Sequence, residues 1–220
     1  MDADRFLSSR SRSEKPSSAE WLLALCKLGI GGALVWGAAR WIVERSELFA
    51  GWVGMVGIIF ILHFGLFHVL SCVWRSGGVN AVPIMNWPIA SQSLTEFWGR
   101  RWNLAFRDLT HRFLFQPLLR RLGPTGSLMV GFLVSGLIHD LVISVPAHGG
   151  WGLPTLYFTL QGIAILIERS CWGRGIGLGS GLVGRLFGVA IIAGPCPLLF
   201  HPAFVRRVIV PFLHVLGALP

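Results

Sequence analysis

His139 lies inside SLMVGFLVSGLIHDLVISV, an apolar run whose only ionisable residues are this histidine and the aspartate that follows it. On a helix, Gly131, Ser135 and His139 recur every four residues and share a face, with Gly136 three positions before the histidine. Small residues on such a stripe let a neighbouring helix approach closely, which turns His139 toward the protein interior and away from lipid. At about 1.5 Å per residue it sits about 18 Å along the axis from Ser127, deep in a hydrocarbon layer. An ionisable side chain at that depth marks a functional site by default. A neutral imidazole there can take a proton from a reacting hydroxyl, which is the task of a general base. The competing reading is a structural hydrogen bond between helices. Asp140 points about 100° away, cannot orient its neighbour's ring, and reads as a helix-pairing or protonated core residue.

A second group of chemistry-bearing residues precedes it. Ser93-Leu94-Thr95-Glu96 reads as a capping box and predicts a helix from about residue 94 to Leu109. On that helix Glu96, Arg100, Asn103 and Arg107 share one face, while Trp98, Trp102 and Phe106 share another. One reading is a cationic interfacial helix anchored by tryptophans. The other is a site wall, in which Asn103 positions a substrate oxygen and Arg100 or Arg107 meets phosphate. Trp102 and Ser135 join these arginines as candidate substrate-binding residues. His63 and His68 are five apart, about 140° around a helix, a poor arrangement for joint metal ligation. A haem held between His139 and one of them is an alternative, and a non-catalytic membrane scaffold is another.

The elements that must position these residues are helices in a bilayer. The chain has 220 residues, 53% apolar and 13% charged, with a mean hydropathy of +0.64. That is too apolar for an ordinary soluble domain and predicts an all-α, polytopic membrane bundle. Spans are expected at 21–43, 50–73, 127–145, 151–167 and 186–200, with a sixth, uncertain crossing in the tail. Lys27 would snorkel from the first of them. Residues 1–20 read as a cytosolic tail and 21–220 as one membrane-embedded domain. The net charge of +9 is spread between apolar segments and forms no contiguous patch, which argues against a nucleic-acid partner. Lys and Arg gather in the tail, the 75–126 loop and the 169–185 loop, so the N-terminus is expected in the cytosol. Cys26, Cys72, Cys171 and Cys196 form no CxxC pair, and neither a disulfide framework nor a metal site is expected.

The segment SLTEFWGRRWN, followed some thirty-five residues later by SGLIHDL, resembles the wax synthase branch of the membrane-bound O-acyltransferases. HFGLFHVLS, RFLFQPLLRRLG and LPTLYF extend the resemblance over about residues 60–210. It implies a helical fold of that family and an acyl-CoA:alcohol O-acyltransferase activity, with Asn103 and His139 as the catalytic pair. Acyl-CoA is then a cosubstrate, no cofactor is needed, and the partners are acyl-CoA, a lipid alcohol and membrane lipids. With two spans ahead of the motif region, a homo-oligomer that completes the cavity is a further expectation.

Overall fold

The computed structural model describes residues 14–220, so most of the expected N-terminal tail lies outside the described residues. The described chain is helical and contains no strand. Among the described residues four helices are long and apolar enough to cross a membrane: α1 (Ser18–Ile42), α2 (Glu47–Ser76), α4 (Leu104–Ala147) and α7 (Gly181–Leu199). A shorter helix, α3, covers residues 94–101, α5 is Leu153–Arg169, and α6 is the single turn Cys171–Gly175. The expected span at 151–167 is α5, whose 17 residues stop short of the other four. The protein is thus an all-α integral membrane protein, with four clear candidate crossings where five were expected.

The residues form two compact units, one up to Met85 together with Ile209–Pro220 and one of Asn86–Val208. In the first unit α1 and α2 start at serine caps. Ser17 Oγ accepts from Glu20 N, and Ser46 Oγ from Phe49 N, each at 3.2 Å. The two helices meet at a glycine pair. A Cβ on Gly31 would lie 2.8 Å from the Gly57 carbonyl oxygen, and one on Gly57 2.9 Å from that of Gly31. Only bare backbone permits that approach, which is how helices without a hydrophobic drive between them gain packing energy in lipid.

Charged groups also link α1 and α2. Lys27 Nζ lies 3.2 Å from His68 Nδ1, His68 Nε2 lies 3.3 Å from Glu20 Oε1, and Arg75 pairs with Glu20. Lys27 therefore turns to a helix partner, where snorkelling was expected, because a histidine acceptor lies within reach. His68 has both ring nitrogens committed and offers none to haem. Glu20, His68 and Cys72 lie close enough to share a cation. Two cationic side chains already press on that group, however, and oppose a third positive charge.

In the second unit α5 packs between its neighbours. Gly136 of α4 would place a Cβ 2.6 Å from Thr155 Cα, and Gly162 of α5 would place one 2.9 Å from Met129 Sδ. Gln161, fully buried, donates from Nε2 to the Ile191 carbonyl of α7 at 2.8 Å. Leu94, Ala164 and Ile165 form the core that joins α3 to α5. α4 bends at Gly123, which adopts φ 65°, ψ 179°, so the basic half before it and the apolar half after it are distinct rods.

Candidate active site

His139 ends the regular α-helical part of α4, and residues 140–144 continue as a π-helical turn. Its Nδ1 lies 2.7 Å from the Ser135 carbonyl oxygen. A carbonyl only accepts, so Nδ1 carries the proton and Nε2 keeps its lone pair. The ring lies against Phe158 of α5, with centroids 4.3 Å apart. The Asp140 carboxylate directs its hydrogen bonds elsewhere. That carboxylate instead accepts from Gly152 N at 2.9 Å, Thr155 N at 3.1 Å, the Thr155 hydroxyl and Ser144 Oγ. Asp140 thereby fixes the start of α5 against α4, the helix-pairing role anticipated for it.

His139 opens on a cavity of about 620 Å³ within the second unit, in the range of small-molecule sites. Ser127, Gly131, Ser135 and His139 all line it, so the stripe of small residues borders open space. The close helix approach expected of that stripe is made by Gly136, on the adjacent face. The periodicity identified the face correctly but not what it faces.

The helix expected from 94 to 109 is two helices. Trp102 is extended (φ −98°, ψ 126°), Asn103 is left-handed (φ 41°, ψ 64°), and a new turn begins at Leu104. Asn103 Oδ1 accepts from Phe106 N at 3.2 Å and caps that turn. Asparagine suits both demands, since its short amide tolerates the left-handed region and supplies a cap acceptor. The break, with the π-helical turn at Phe97–Arg101, removes the two-face pattern. Trp98, Trp102, Asn103, Phe106 and Arg107 all line the same cavity.

Asn103→Ala, which loses the cap and strains the backbone, is expected to cost about 2 kcal/mol, whereas Asn103→Gly should cost under about 1 kcal/mol. Thermal unfolding in detergent checks this; equal melting of the two variants would refute the capping account. A glycine variant that folds normally but loses turnover would separate a chemical role of the carboxamide from its structural one.

The arginines divide. Arg107 lines the cavity, donates to the Gly99 carbonyl at 2.7 Å and pairs with Asp108. Its buried Nε has no acceptor among the described residues. Arg100 is exposed and lies outside the cavity wall, because the π-helical turn rotates it away. Arg169 and His111 take its place at the cavity's charged end, and neither was singled out in the sequence. Glu168 was also missed. Only 3% exposed, it accepts from Leu94 N at 2.6 Å and from Thr95 N at 3.1 Å, anchoring α3 to the end of α5.

Ser93 Oγ accepts from Glu96 N at 3.0 Å, as the capping box requires, but Glu96 returns its bond to Gln92 N at 2.8 Å, one residue earlier than expected. That amide, and after it Arg101, holds the Glu96 carboxyl below the usual carboxylate range. Because the folded-state value is depressed, Glu96 contributes its full stability above the ordinary carboxylate pKa. It loses that contribution as pH falls through the depressed one. Glu96→Gln should therefore flatten the acid limb of the stability–pH profile; superimposable acid limbs in variant and parent would disprove this.

Four candidate spans, one of which carries a histidine beside an aromatic-lined cavity, define a polytopic membrane protein. Residues 81–160, which include Asn103 and His139, match the membrane bound O-acyl transferase family. The resemblance to the family's wax synthase branch is supported by curated relatives named as long-chain-alcohol O-fatty-acyltransferases. A long-chain-alcohol O-fatty-acyltransferase of Simmondsia chinensis is 34% identical over 41% of this chain and 28% of its own length. A probable long-chain-alcohol O-fatty-acyltransferase of Arabidopsis thaliana is 30% identical over 59% of this chain and 42% of its own. An acyl-CoA–sterol O-acyltransferase of the same plant is 32% identical over 40% and 27%. The chain spans less than half the length of these curated relatives. No solved structure matches it.

Proposed function

We propose that the protein transfers a long-chain acyl group from acyl-CoA to a lipid alcohol, with His139 as general base. The observation that carries this reading is the His139 ring, which is tied through Nδ1 to the Ser135 carbonyl, leaves Nε2 as its basic nitrogen and lines the cavity. Nε2 takes the proton of the acceptor hydroxyl as its oxygen bonds to the thioester carbonyl carbon. The tetrahedral intermediate then collapses, the C–S bond breaks, and the departing thiolate recovers the proton from the imidazolium. Ester and free coenzyme A leave, and the histidine returns to its starting state. Walls built from Trp98, Phe132 and Phe158 exclude water that would hydrolyse the thioester. Asn103 acts as a positioning residue at the cavity wall, and Trp102 and Ser135 contribute substrate-facing surface. Arg107 and Arg169 meet the phosphates of the donor on the cytosolic side, and Arg100 serves the approach of anions from outside the cavity.

The names of the relatives support a hydroxyl acceptor on a lipid, and they include both long-chain alcohols and a sterol. Membranes carrying the protein, incubated with labelled long-chain acyl-CoA and separate panels of fatty alcohols, sterols and glycerides, should form ester with at least one panel. Absence of ester with every acceptor, from protein shown to be folded, would overturn the reading.

A further inference from the structure

We infer that the protein holds an anionic phospholipid in a groove between α7 and residues 88–97, with the lipid phosphate at Arg185 and one acyl chain lying toward Ala193. The groove is separate from the cavity that His139 lines, so the inference stands apart from acyl transfer. It encloses about 160 Å³. Gly184 brings its two sides together. A Cβ there would lie 2.4 Å from the Gln92 carbonyl oxygen, so bare backbone lets α7 run against the segment that leads into α3. Ile89 and Phe97 line one side of the groove, and Val189, Ile192 and Ala193 line the other. The two serines that border it have their hydroxyls engaged, Ser91 Oγ by the Pro88 carbonyl at 2.7 Å and Ser93 Oγ by Glu96 N at 3.0 Å. The interior therefore suits hydrocarbon and gives a hydrated ion little to bind.

The rims are apolar and open. Ile89 is 85% exposed and Val189 57%. The turn that displays Ile89 is held in place: Trp87 is left-handed at φ 46°, and Arg101 Nη1 donates to its carbonyl at 3.3 Å and to that of Asn86 at 3.4 Å. On its inner side Phe97 stacks on Trp102, with centroids 5.3 Å apart, so a chain in the groove braces α3 from the side opposite the cavity.

Arg185 supplies the charge. It is exposed, and its Nε donates to the Ser91 carbonyl at 3.5 Å, a long contact. Among the described residues no salt bridge joins it to a carboxylate. The acids of the adjoining elements are committed elsewhere, Glu96 to Arg101 and Gln92 N, and Glu168 to Leu94 N and Thr95 N. On the helix Arg185, Val189, Ile192 and Ala193 share a face. Arg185 lies one turn inside a candidate span, and Ala193 lies about 12 Å further along it at the helical rise. A cation near the membrane surface, followed by an apolar groove that runs inward, has the order of parts of a phospholipid with net negative charge.

The test uses the purified full chain in detergent and native mass spectrometry, which counts bound lipid and needs no turnover. Dioleoyl phosphatidic acid should occupy the first site about fivefold or more tightly than dioleoyl phosphatidylcholine. Arg185→Gln should remove that preference and leave phosphatidylcholine binding as it was, and Arg185→Lys should keep most of it. Ala193→Phe, which fills the deep end from an exposed position, should weaken both lipids alike. Arg120→Gln, which removes an equal charge from an exposed position on α4, should change neither. Equal affinity of the parent for the two lipids would overturn the inference. So would an equal loss in Arg120→Gln and Arg185→Gln, which marks diffuse attraction, or unchanged binding in Ala193→Phe, which takes the chain out of the groove. Oleate bound as tightly as phosphatidic acid would assign the groove to a fatty acid instead. None of these outcomes bears on ester formation, and failure to form ester leaves the groove as it stands.

Discussion

His139→Ala is expected to lower ester formation by about 10²- to 10⁴-fold, the range supplied by a positioned general base. Alanine removes the proton acceptor, and it also removes a ring packed on Phe158, so activity loss alone does not isolate the chemistry. His139→Asn supplies the control. Its amide can still donate toward the Ser135 carbonyl, but it has no basic nitrogen to offer the acceptor hydroxyl. Both variants should lose turnover to a similar degree, with the asparagine variant unfolding closer to the parent. Turnover within a few-fold of the parent in His139→Ala would remove the histidine from the mechanism.

Glu168→Ala is expected to destabilise the protein by about 2–4 kcal/mol, because two helix-start amides lose their acceptor, one of them in a fully buried place. The carboxylate is almost wholly buried, and it holds Leu94 N and Thr95 N at the start of the helix that carries Trp98 and Gly99. Glu168→Gln retains one oxygen but gives up the charge that favours a helix N-terminus, and should cost about 1–2 kcal/mol. Thermal unfolding in detergent reads both. An alanine variant that melts with the parent would mean that these amides find other partners and that the anchor is not needed.

The spanning helices of the first unit were legible to within a few residues, 21–43 against Ser18–Ile42 and 50–73 against Glu47–Ser76, because hydrocarbon thickness imposes their length. His139 was legible as an inward-facing ionisable group for the same reason: lipid leaves an ionisable group few places to turn. Other features depended on geometry that residue types do not encode. The π-helical turn at Phe97–Arg101 and the left-handed Asn103 reset the angular count, so side chains assigned to opposite faces converge and Arg100 leaves the group. Asn103 fits the cap and left-handed preferences equally well once the break is known, but an amphipathic period running through it conceals the break. Glu168 sits beside Arg169 at a helix end, where a charge pair ordinarily marks the membrane surface. Its partner amides are more than seventy residues away, and no local pattern points to them. Gly131 was read as a helix contact because small-residue spacing looks the same whether the face meets another helix or a cavity.

Asp140 has a practical consequence for anyone inserting tags or cleavage sites to map topology. The turn at residues 148–152 is short, glycine-rich and partly exposed, which makes it look like a permissive place for foreign sequence. Its far end is held by the carboxylate next to His139 in the chain, through Gly152 N and Thr155. An epitope placed there would pull on the register of the two helices that wall the cavity, and a silent reporter would become an inhibitor. The exposed pair Gly179 and Ser180, which precedes α7 and contributes nothing to the cavity wall, is the safer site for such a reporter.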